Sequence, residues 1–120
     1  MPKGKESEQK RSEVLQGTLD LMILKTLEVM GPLHGYGIAR RLEQLSQDVL
    51  QLNEGTVYTS LLRLYQQGWI SSDWGASENN RKAKFYAITK AGRKRLAEET
   101  ENWERFAGVI GRVLQQATNE

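Results

Sequence analysis

No helix can run through Gly31-Pro32. Proline lacks the amide proton and its ring collides with the preceding turn, while glycine takes the left-handed conformation that closes a helix. Any helix upstream must therefore finish near residue 30. There Leu15, Leu19, Met22, Ile23, Leu27 and Met30 recur at the i, i+4, i+7 spacing of a single helix face. The spacing predicts a helix over 14–30, with Ser12 or Thr18 as its capping residue. Residues 1–12 are polar and charged and are expected to form a disordered tail. After the turn Leu33-His34-Gly35 a second helix follows, with Ile38, Leu42 and Leu45 as its buried stripe. Val49-Leu50-Gln51-Leu52 reads as a short extended piece. Asn53 is a good N-cap for a third helix and Glu54 suits its positive end. Val57, Leu61 and Leu64 then turn inward, and Gly68 closes the element. Thr56, Ser60, Arg63 and Gln67 are expected on an outward face, with Tyr58 and Thr59 beside it.

Trp69 to Trp74 reads as a strand, 75–80 as a loop of turn formers, and Arg81 to Ile88 as a returning strand. Lys82, Lys84, Tyr86 and Ile88 share one side of that strand; Ala83, Phe85 and Ala87 share the other. The two strands form a hairpin, with Trp69 and Trp74 expected in its core. Thr89 can cap a last helix running from 90 to about 116. Its stripe is Leu96, Thr100, Trp103, Ala107, Ile110, Val113 and Leu114, with Phe106 flanking. In a chain of 120 residues little else remains to cover that stripe, so a second subunit is expected. The expected homodimer interface is Leu19, Met22, Ile23, Trp103, Phe106, Ile110, Val113 and Leu114. The chain thus divides into a tail (1–12), a globular unit (13–89) and a C-terminal dimerisation helix (90–120).

Composition excludes several classes of function. There is no cysteine and a single histidine, which leaves no thiolate zinc site, no disulfide and few nucleophile–base pairs. His34 sits in a turn and reads as a turn or capping residue, not as a metal ligand. The glutamates Glu98, Glu99, Glu101 and Glu104 lie on a helix among basic residues, as surface pairs do, so no enzyme, cofactor or metal is expected. No apolar run has membrane-spanning length, and Met1-Pro2-Lys3-Gly4-Lys5 has no apolar stretch behind it; a cytoplasmic protein without a secretory signal is the expectation. Net charge is only +2, but its distribution is uneven. Arg81, Lys82, Lys84, Lys90, Arg93, Lys94 and Arg95 follow one another with no acid between them, the footprint of a polyanion site.

The predicted order is helix, helix, short strand, helix, hairpin, long helix. That is a mainly α winged helix-turn-helix with a two-stranded wing and a long C-terminal helix. In such a fold the third helix enters the major groove of double-stranded DNA, and the hairpin wing touches the flanking backbone. Short polar and long basic side chains reach base edges, and cations meet phosphates. Thr56, Thr59, Ser60 and Arg63 are therefore the expected readers, and Arg81, Lys82 and Lys84 the expected wing contacts. The same fold also serves as a protein-interaction module without DNA binding, which is the alternative reading.

Three stretches sharpen the choice. Leu15-Gln16-Gly17-Thr18-Leu19-Asp20 with Leu33-His34-Gly35-Tyr36-Gly37-Ile38 resembles the opening of the PadR family of bacterial transcriptional regulators. Asn53-Glu54-Gly55-Thr56-Val57-Tyr58 followed by Leu61, Arg63 and Leu64 is similar to its reading helix. Arg81-Lys82-Ala83-Lys84-Phe85-Tyr86 leading into Ile88-Thr89, Ala91-Gly92 and Arg93 is similar to its wing. The single C-terminal helix resembles the smaller branch of the family. The resemblance implies a homodimer that represses promoters at a palindromic operator, released by a small molecule in some members. It implies a phosphate contact for Tyr36, groove contact for Tyr58, and wing contacts for Lys82 and Lys84. Trp103 resembles the tryptophan that, in multidrug-sensing relatives, stacks on flat aromatic effectors. Thr59 stands where many members carry proline, and Tyr65 where many carry glutamate.

Overall fold

The computed structural model describes the backbone of residues 3–118 and the side chains of residues 17–118. In chain order the elements are α1 (Lys3–Met30), β1 (Leu33–His34), α2 (Gly35–Leu45), α3 (Glu54–Gln66), β2 (Ile70–Ala76), β3 (Lys82–Ile88) and α4 (Lys90–Leu114). Each boundary has a local cause. Gly31, at φ 81°, ends α1 in the left-handed region that suits glycine. Three N-caps start the other helices. The His34 Nδ1 accepts from the Gly37 amide, the Asn53 side chain from Thr56, and the Thr89 side chain from Gly92, each satisfying one orphan donor of a first turn.

The tail expected over 1–12 is different in the structure. Met1 and Pro2 lie outside the described residues, while the backbone from Lys3 onward is helical and continuous with α1. Lys, Glu, Gln and Arg dominate this segment and are good helix formers. Ser12 and Thr18 therefore fall inside α1 and do not cap it.

The sheet is antiparallel in the order β1-β3-β2. Its first strand is Leu33–His34, paired with Tyr86 and Phe85, and not the Val49–Leu52 piece read as extended from sequence. Those residues have their amides engaged by α2: the Leu50 amide donates to the Ser46 Oγ at 3.0 Å and the Leu52 amide to the Glu43 Oε2 at 3.2 Å. With those donors spent, no ladder can form there. Leu45 is also exposed, not buried, because the core stripe of α2 ends at Leu42.

The core draws Leu19, Ile23, Leu24 and Leu27 from α1, Ile38, Ala39 and Leu42 from α2, Val57, Leu61 and Leu64 from α3, and Ile70, Tyr86 and Leu96 from the hairpin and α4. Each large aliphatic side chain buried this way contributes roughly 1.5–3 kcal/mol. The start of α4 is locked to the hairpin. The Thr89 amide donates to the Trp69 carbonyl, and the Thr89 hydroxyl to the Gly68 carbonyl. Gly92 faces the same carbonyl so closely that a Cβ there would overlap the Trp69 oxygen and approach Ile88 Cγ1 to 2.8 Å. Gly92→Ala is expected to destabilise the fold by about 3 kcal/mol and to lower Tm by about 10 °C. An unchanged melting curve by circular dichroism would mean that α4 does not seat against Trp69 as described.

Candidate nucleic-acid interface

α3 and the hairpin frame one open concave face. It is lined by Tyr36, Arg40 and Gln44 of α2, by Glu54 and Tyr58 of α3, and by Trp74, Arg81, Lys82 and Lys84 of the hairpin. Its volume, about 1340 Å³, exceeds the few hundred to a thousand of a small-molecule pocket, and it is wide open to solvent. Four cations (Arg40, Arg81, Lys82, Lys84) stand against two carboxylates (Glu54, Glu78) on it. A wide, cationic, open trough suits a polyanion better than a metabolite.

Of the expected contacts, Tyr36, Tyr58, Arg81, Lys82 and Lys84 line this trough, whereas Thr56, Thr59, Ser60 and Arg63 do not. Tyr36 and Tyr58 are exposed, at 59% and 58%, and lie on the trough. Thr56 and Thr59 are exposed at the start of α3. The Thr56 hydroxyl donates to Asn53 Oδ1 at 2.9 Å and the Thr59 hydroxyl to the Gly55 carbonyl at 2.8 Å. With its proton committed, each hydroxyl has only its lone pairs left to offer. Lys82 and Lys84 share one face of β3 with Tyr86, and Arg81 precedes them at the loop.

Ser60 is corrected as a reader, and Arg63 is engaged within its own chain. Ser60 is fully buried, because it belongs to the Val57, Leu61, Leu64 face and not to the outward one. Arg63 turns back toward α1. Its guanidinium donates to Asp20 through Nη2 at 2.8 Å and Nε at 3.3 Å, and to the Ser60 Oγ at 3.1 Å. That two-pronged pair, with Arg63 35% and Asp20 23% exposed, ties α3 to α1 and occupies the Nε–Nη2 edge of the guanidinium. Nothing in the local sequence pattern marks Asp20 as a partner for a residue 43 positions away.

Other residues on the trough were also missed. Arg40 lies one helical turn beyond Tyr36 on α2, a spacing that places both on one face. Trp74, expected in the hairpin core, is instead 59% exposed, whereas Trp69 is half-buried beneath the Arg95 guanidinium at 4.8 Å. His34 caps α2 and stacks edge-on against Phe85 at 5.3 Å. Tyr86 of β3 also lines the trough, close to Tyr58 and Leu61 of α3. Burial first, and then the neighbouring Tyr58, push its hydroxyl above the ordinary 10.0. Among the described residues no cluster of His, Asp or Glu could hold a metal ion, and no helix is long and apolar enough to cross a membrane.

Off the trough, α4 carries the uncovered apolar stripe. Trp103, Phe106, Val109, Ile110, Val113 and Leu114 are all more than 40% exposed. Leu19 and Ile23, expected at a subunit interface, are corrected: both are buried in the core of their own chain, at 3% and 0%, and have no surface left for a partner. Met22 is half-buried against that core.

The whole arrangement has known counterparts. The profile of the transcriptional regulator PadR-like family matches residues 23–98. A transcriptional regulator from Clostridium thermocellum is 30% identical and superimposes with a TM-score of 0.74, covering 83% of this chain and 93% of its own. A PadR-like transcriptional regulator from Bacillus cereus is 27% identical with a TM-score of 0.74, over 88% of this chain and 99% of its own. A Lysinibacillus sphaericus protein described as uncharacterized protein X is 28% identical over 88% of this chain and 95% of its own length. With its helical core, basic wing and long last helix, the chain belongs to the PadR-like family of transcriptional regulators, a family of DNA-binding proteins and not of enzymes.

Proposed function

We propose that the protein is a cytoplasmic homodimeric repressor that grips a palindromic operator through α3 and the wing. One observation supports this above the others: the cations of α2 and the hairpin converge with Tyr36 and Tyr58 on a single open trough at the exposed start of α3. In this reading residues 13–89 form the DNA-binding unit and 90–120 the dimerisation helix. Tyr36, Arg81, Lys82 and Lys84 hold phosphates, while Thr56, Tyr58 and Thr59 meet base edges. The two threonine hydroxyls, as acceptors, fit the amino groups of adenine or cytosine in the major groove. Two copies joined along α4 would place their reading helices about 34 Å apart, one turn of duplex. Trp103, 53% exposed on the dimerising stripe, is the proposed contact for a flat aromatic effector that releases the repressor.

Gel filtration with duplex DNA at low salt tests the reading. Protein and duplex should co-elute at two subunits per duplex. Separate elution at every salt concentration would instead favour the protein-interaction module.

A further inference from the structure

Trp74 is a large aromatic left 59% exposed on a hairpin, where packing gives it no role. It stands on β2 directly opposite Lys84, with Lys82 opposite Ala76 two positions further along the same face. The Lys82 Nζ lies 5.4 Å and the Lys84 Nζ 5.6 Å from its ring centroid. Both are within cation–π reach. The ring thus gathers two like charges that would otherwise repel, and it borders the same trough as Tyr36 and Tyr58.

A phosphate oxygen is a stronger partner for an ammonium than an aromatic face is, because the bond is charge-assisted at both ends. A duplex entering the trough would draw both ammonium groups from the ring to its phosphates. The freed ring would then face the deoxyriboses between those phosphates, at a distance set by the lysine side chains. We propose that Trp74 is itself a nucleic-acid contact of the wing, packing on the sugar edge of the strand whose phosphates Lys82 and Lys84 hold. The inference rests on the trough being the DNA-binding face. It adds an apolar, salt-insensitive component to a contact otherwise made by charges.

The test uses the full chain and a fluorescein-labelled random-sequence duplex, titrated by anisotropy across a potassium chloride series. Trp74→Ala should weaken binding about tenfold with the wild-type salt slope, since no cation is removed. Trp74→Phe should keep most of the affinity. Duplex should also change tryptophan emission in the wild type more than in Trp74→Phe, a difference that isolates Trp74 from Trp69 and Trp103. Wild-type affinity in Trp74→Ala overturns the contact. A flattened salt slope in Trp74→Ala overturns it too, by assigning the ring to holding the lysines in place. A wild type that binds no duplex removes the underlying reading, and this one with it.

Discussion

Ile110→Asp is expected to yield a monomer that keeps its fold and loses tight DNA binding. Ile110 is 55% exposed in the single chain, so the substitution leaves the protomer core alone and its circular dichroism should be unchanged. In a two-fold interface along α4 the same change occurs twice, and each carboxylate would be buried without a partner. An unpaired charge in an apolar interface costs several kcal/mol after relaxation, which is more than a hundredfold in the dimerisation constant. Light scattering at micromolar protein should report half the wild-type mass. DNA affinity falls with it, because a monomer holds one half-site and about half the phosphates. A mutant that stays dimeric and binds DNA normally would place the interface elsewhere than on the Trp103–Leu114 stripe.

Reversing the wing charges with Lys82→Glu and Lys84→Glu together should weaken binding about a hundredfold or more, to every sequence alike. Phosphate contacts position a protein and carry no base information, so the loss should be uniform. If each subunit of the dimer neutralises about four phosphates, the wild-type slope of log K against log salt is near −7. Losing two lysine contacts per subunit should flatten it by about 3–4. Both side chains are exposed on β3, so the fold should survive. Equal affinity and equal slope in the double mutant would remove the wing from the interface.

The helices and the hairpin are legible in the sequence because their signals are local. A stripe such as Val57, Leu61 and Leu64 needs only a period, and caps such as Asn53 and Thr89 need only three residues of context. The unpartnered face of α4 is legible for the same reason. What is hidden depends on tertiary geometry. Whether Ser60 looks outward depends on how wide a stripe α1 covers, and α1 covers enough of α3 to enclose it. The role of Arg63 depends on Asp20, which only the packing of α1 on α3 brings within reach. Leu19 and Ile23 have the right spacing for an interface, but that spacing cannot say whose core they fill. Val49–Leu52 has the composition of a strand, yet Glu43 and Ser46 claim its amides first. Trp74 has the hydrophobicity of a core residue, and only the pairing of β2 with β3 places it beside two lysines on the open side.

Two copies of this chain are proposed to read a two-fold DNA sequence through α3 and the wing. Selection of bound duplexes from a random library, followed by sequencing, tests this most directly. The expected result is an enriched palindrome with half-sites about one helical turn apart, ~34 Å between centres, and acceptor-contacted adenines or cytosines within each half. A library that returns unenriched, with only weak and steeply salt-dependent binding, would contradict it and leave the basic wing as a nonspecific surface.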